Sequence, residues 1–117
     1  MRRVMVLYRP VGEIELELIQ RTGSLRFPTR LPEQPIFYPV VTPEYAAQLA
    51  REWNARDGGR GYVTRFAVDA VYIDRFEPQQ VGARIHTEYW IPADELDEFN
   101  VNIVGTIEVI ASFSSDD

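Results

Sequence analysis

Glu13-Ile14-Glu15-Leu16-Glu17-Leu18 is the stretch on which the fold class turns, because it satisfies two periods at once. Its acidic and apolar residues alternate strictly, the signature of a half-buried strand. The same residues are good helix formers, and the acids suit the unpaired amide groups of a helix N-terminus. Gly23 stands where a left-handed cap would close the last turn. We read the stretch as a helix. Before it, Val4 to Arg9 is a short apolar run closed by Pro10, read as a first strand buried on both faces.

Downstream, residues 24–35 contain Pro28, Pro32 and Pro35, too many for a regular element, with Arg26 and Arg30 between them. This is an ordered loop that carries charge. Ile36-Phe37-Tyr38 follows as a short strand stopped by Pro39. Thr42-Pro43-Glu44 reads as N-cap, N1 proline and first-turn acid, and Ala46, Leu49, Ala50 and Trp53 continue as a helical apolar stripe. Asn54 to Gly61 is a loop whose glycines, in Asp57-Gly58-Gly59-Arg60-Gly61, suggest a hairpin-type turn. Tyr62 to Val68 alternates as a strand, and Ala70 to Phe76 is a helical turn or irregular connection. Arg84 to Ile91 is a further strand, and Pro92 to Phe99 a short acidic helix. Ile103 to Phe113 is a last strand with Gly105 at a bend or bulge, and Ser112 to Asp117 a polar tail. Strands mixed with two good helices and a short one make the class α+β, in a single domain over residues 1–117.

Composition narrows the chemistry. With no cysteine and one histidine, a disulfide scaffold, a Cys-based zinc cage and a His-rich metal site are all excluded. All twelve cations are arginine, and the net charge of −6 argues against generic nucleic-acid binding. Residues 1–65 hold ten Arg against seven acids, and residues 66–117 two Arg against eleven. Such a division fits differently solvated edges, or an arginine wall facing an anion such as a phosphorylated small molecule, which guanidinium groups grip as a planar fork. The first residues are too short an apolar run for a signal-peptide core or a membrane span, so a cytoplasmic location is expected. Phosphate-cradling glycine motifs, HExxH and GxSxG are missing from the chain. Asp94, Glu95, Asp97 and Glu98 match a metal cluster in composition only and read as a solvated helix face.

The stretch richest in chemistry is Ile85-His86-Thr87-Glu88-Tyr89-Trp90-Ile91. On a strand, His86, Glu88 and Trp90 project to one face, and Ile85, Thr87, Tyr89 and Ile91 to a core-like other. A carboxylate beside an aromatic wall can bind a sugar hydroxyl and stabilise developing positive charge, as cleavage through an oxocarbenium-like state requires. A merely wet strand face is the plainer alternative. Arg9, ending an apolar strand, is placed to clamp a ligand at a sheet's end, or is a surface cation there. Tyr38, between prolines, can stack on a ring or pack.

The order of these segments is more specific than any one of them. Leu7-Tyr8-Arg9-Pro10, Glu15-Leu16 and Gly23, Ile36-Phe37-Tyr38 leading into Tyr45-Ala46-Ala47, Tyr62-Val63-Thr64-Arg65-Phe66, and His86-Thr87-Glu88-Tyr89-Trp90-Ile91-Pro92 together resemble the small bacterial mono-ADP-ribosyltransferase-like fold. The likeness spans nearly the whole chain, and extends to short bacterial proteins labelled ADP-ribosylation/crystallin J1. It implies a split β-sheet with two to three helices, NAD as substrate, no metal, and a protein among the candidate acceptors. In that family an Arg or His on the first strand, a Ser or Tyr in the middle and a Glu on a late strand act on NAD. The resemblance gives Arg9 the first role, binding the pyrophosphate or a ribose with Tyr8 beside it, and Glu88 the last, at the ribose 2′-hydroxyl. Tyr38 and Trp90 would flank the nicotinamide. His86, two positions before the glutamate, would orient or polarise the nucleophile. The alternative is a catalytically inert ligand- or protein-binding module on the same scaffold.

Overall fold

The computed structural model describes residues 3–56, 59–82 and 86–114. Its centre is an antiparallel sheet in which β3 (Arg60–Asp69) lies between β1 (Val4–Gly12) and β7 (Ile103–Ser114). Leu7 faces Phe66 and Arg9 faces Thr64 across the first pair. Between β3 and β7 the register shifts around Arg65 and Ala67, where Gly105 takes φ 85°. That is the bulge expected of a glycine in this strand.

The class is α+β, with α1 (Glu13–Arg21), α2 (Pro43–Leu49), α3 (Ala70–Ile73) and α4 (Leu96–Val101). The alternating acids of residues 13–18 do lie on a helix, and Gly23 closes it at φ 78°, its amide donating to Gln20 O. Burial of Ile19, not of every second residue, shows which period prevailed. Two layers cover the sheet. On one face Leu7, Val11 and Phe66 pack with Ile19, Phe27, Phe37 and Phe99, whose rings meet edge-on or tilted. On the other, Val63 packs with Val40, Tyr45, Ala46 and Ala50.

Small strand pairs complete the molecule: β2 (Ile36–Phe37) with β6 (Ile91–Pro92), and β4 (Gln79–Gln80) with β5 (Thr87–Glu88). The continuous strand expected over residues 84–91 is therefore corrected to an interrupted one, β5 and β6, both opposed in one register by residues 36–41, with β4 on the other edge of β5; residues 83–85 lie outside those described. Pro39 accepts from Tyr89 N at 2.9 Å but has no N–H to return, which interrupts the ladder between β5 and β6. β2 sits between Pro35 and Pro39, and β4 between Pro78 and Gly82, which has φ 85°.

Further expectations change. β1 runs past Arg9 and Pro10 to Gly12, and it is buried fully on one face only. Residues 112–114 of the expected tail belong to β7. The glycine-rich segment, of which Asp57 and Gly58 lie outside the described residues, joins a helix to a strand, so it is no hairpin. That helix does not stop at Leu49: it loosens into a π-turn over Ala50–Asn54, with Ala55 N donating to Ala50 O. A side chain on Gly61 would stand 2.3 Å from Ala50 O, so only glycine lets β3 pass under this turn. The wider turn also rotates Trp53 off the expected apolar stripe, leaving it 63% exposed.

Candidate functional site

Val40 is the hinge of the site's construction. It bridges β1 at Tyr8 and β5 at Glu88, its backbone exchanging bonds of 2.9 and 2.7 Å with Tyr8. Residues opposed across neighbouring strands share a face, so Tyr8, Val40 and Glu88 all point toward α2. Thr42 caps that helix by accepting from Tyr45 N, which fixes Tyr45 in the first turn above Glu88.

There the carboxylate is held by two neutral donors. Tyr45 Oη donates to Glu88 Oε2 at 3.1 Å, and Trp90 Nε1 donates to Oε1 at 2.8 Å. No cation among the described residues lies within ion-pair distance of it. Burial first, and the carboxylate second, push the Tyr45 hydroxyl up to about 12, so it remains a donor at neutral pH.

Beside Glu88 opens a cavity of about 400 Å³, within the range that takes a small ligand. Tyr38, Tyr45, Trp53 and Trp90 give it an aromatic wall, and Leu49 and Val81 add apolar surface. Arg9 also borders it, so Arg9, Tyr38, Glu88 and Trp90 come together from three separate segments.

Arg9 arrives differently from its sequence reading. It is 8% exposed and sits in mid-strand. Its Nε donates to Glu15 Oε2 at 2.7 Å and Nη2 to Oε1 at 3.0 Å, a two-toothed pair. The guanidinium carbon lies 4.5 Å from the centre of the Phe37 ring, and Nη1 reaches Tyr38 O at 3.4 Å. It is therefore neither a surface cation nor an open hook. Its charge and most of its donors are already engaged by the fold.

His86 is not on the cavity wall. It packs behind Tyr45, ring centres 4.6 Å apart and tilted, and its Nε2 shares a hydrogen bond of 3.1 Å with the Gln48 side-chain amide. From there it holds Tyr45 in place. Tyr8 packs into the second core layer rather than lining the cavity. Tyr89 and Ile91 are core, as the alternation of residues 85–91 requires. Tyr45 and Trp53 are the functional candidates that sequence reading missed, having been assigned to a helix and its apolar stripe. A hydroxyl on a ring at a buried helical position was the available signal, since it must find a partner.

Elsewhere, Arg75 pairs with Glu95 at 3.8 Å and Glu98 at 3.3 Å, and Tyr72 Oη donates to Glu95 at 3.3 Å. The acidic segment is thus spent on surface contacts, and no three metal-ligating side chains cluster among the described residues. No helix among them is long and apolar enough to cross a membrane. Comparison with protein-family models, curated proteins and solved structures finds no match.

Proposed function

We propose that the Glu88 cavity takes the nicotinamide riboside end of an NAD-like dinucleotide and breaks its glycosidic C–N bond. The observation that carries this is Glu88 itself, a carboxylate aimed by Tyr45 and Trp90 at the wall of an aromatic cavity, with no ion-pair partner among the described residues. The rings suit a flat, positively charged nicotinamide. As the bond breaks, its electron pair leaves with the ring nitrogen, and the positive charge passes to the ribose as an oxocarbenium-like species. Glu88 then gains attraction that it lacked in the ground state, which is the condition for catalysis. An acceptor or water adds to the ribose carbon and gives up its proton. The main sheet and the small strand pairs joined to it through Val40 support a split sheet of the ADP-ribosyltransferase-like kind.

The test is nicotinamide release from NAD, followed chromatographically, beside calorimetric binding. Wild type should release nicotinamide, and Glu88→Gln should lose about a hundredfold or more in rate while still binding NAD. Wild-type protein that neither binds NAD nor releases nicotinamide would end the proposal.

A second reading is favoured by the same wall. Four aromatic rings with one carboxylate, beside an arginine already paired, make a receptor for an organic cation without any chemistry. Tight binding of tetramethylammonium, with no turnover of NAD, would select it.

A further inference from the structure

The proline-rich loop carries a second cavity, of about 270 Å³, bordered by Arg30 and Thr29 on the loop and by Glu15 on α1. Arg30 is incompletely served there. Its Nη2 donates to Ile36 O at 3.0 Å, but its Nε is buried with no partner among the described residues. Arg30 is partly exposed, yet a buried unpaired Nε is costly, and its persistence needs an explanation. The carboxylate nearby cannot supply one, since Glu15 is gripped at both oxygens by Arg9. Arg9 and Arg30 lie 4.5 and 6.0 Å from the same Phe37 ring centre, so two cations share one carboxylate. Burial first, and Arg9 second, lower the Arg30 pKa, against smaller opposing effects of Glu15 and Tyr38. Around the opening, Ile14 and Leu31 are 78% and 56% exposed, with Leu18 beside them, an apolar rim on a charged site.

From this geometry we infer that the proline-loop cavity is a phosphate site, in which the Arg30 guanidinium receives the oxygens of a phosphorylated small molecule whose apolar part covers Ile14, Leu18 and Leu31. A phosphate oxygen in the cavity answers the surplus charge left by two arginines on one shared carboxylate, and the planar fork of a guanidinium suits it. The site stands on its own residues and does not require turnover at Glu88. Its phosphate has two sources: the adenylate end of a dinucleotide reaching across from the Glu88 cavity, or a separate phosphorylated molecule.

Calorimetric titration of the full chain with AMP, inorganic pyrophosphate, NAD and nicotinamide riboside decides the matter. AMP and pyrophosphate should bind to wild type, and Arg30→Gln should weaken both about tenfold or more. Nicotinamide riboside, which lacks phosphate, should bind both proteins alike. Arg30 also touches Ile36 and Phe37, so a second variant guards against misfolding: Leu31→Glu puts a negative charge on an exposed rim position and should weaken AMP several-fold, an effect that salt relieves. Competition between AMP and NAD supports the dinucleotide as source, and independent binding supports a separate molecule. The inference is overturned if neither AMP nor pyrophosphate binds wild type, or if both bind the two variants as they bind wild type. A failed Glu88 reaction would appear instead as absent nicotinamide release, whatever Arg30 does.

Discussion

Replacing Glu15 by Gln tests whether Arg9 belongs to the fold or to a ligand. In the native state Arg9 and Glu15 have side chains 9% and 22% exposed, joined at 2.7 Å. Removing the carboxylate charge strands a guanidinium that water can barely reach. Breaking a buried pair from one side costs about 3–5 kcal/mol; the partial exposure of Glu15 and the Phe37 ring beside Arg9 reduce this to about 2–4 kcal/mol. Arg9→Met leaves the opposite orphan, a carboxylate that water can reach more easily, and should cost less, about 1–2 kcal/mol. Arg9→Met with Glu15→Leu removes both charges and should return to within about 1 kcal/mol of wild type. Urea unfolding of wild type, Arg9→Met, Glu15→Leu and the double variant, with slopes held equal, completes the double-mutant cycle, and Glu15→Gln is measured beside it. Glu15→Gln no less stable than wild type would show that the pair contributes nothing. Arg9 would then be free to serve the cavity, and the structural role assigned to it above would be wrong.

Gly61→Ala should destabilise by about 2–3 kcal/mol in the same denaturant assay, because its new methyl must displace the backbone of Ala50; a change below about 0.5 kcal/mol would contradict the close approach. Asn100→Ala should cost about 2–4 kcal/mol, since Asn100 pairs with both the amide and the carbonyl of Phe27 at 2.9 and 3.0 Å and tethers the proline-rich loop to α4. Hydrogen exchange at the Phe27 amide would rise with it, and an unchanged rate would refute the tether. Burial raises the hydroxyl pKa of Tyr45, Tyr72 and Tyr89, so the unfolded chain ionises first. For Tyr45 the stabilisation is complete below pH 10, the ordinary value, and is lost as pH rises toward about 12. Unfolding curves across that range should show falling stability, less steep in Tyr45→Phe; identical slopes would remove Tyr45 from the account.

What was legible in the chain was local chemistry. The N-cap at Thr42 with Pro43, the glycine closing α1, the alternation of β3 and the bulge at Gly105 each depend on neighbours a few residues apart, and the structure has them all. The mixed helical and strand class follows from those elements. The grouping of Glu88 with Trp90 also follows locally, because side chains two apart on an extended chain share a side.

Tertiary structure alone decided the rest, because it rests on who meets whom across long separations. The strand expected over residues 84–91 is interrupted where Pro39, opposite Tyr89, accepts from Tyr89 N but has no N–H to return, although residues 36–41 oppose both β5 and β6 in one register. Trp53 faces the cavity because the close pass of Gly61 accompanies a wider turn at Ala50, a contact that helical periodicity does not contain. Arg9 and Arg30 look alike in composition. Packing brought a carboxylate to both teeth of one and left a buried nitrogen of the other without a partner among the described residues, and that difference sets what each can do.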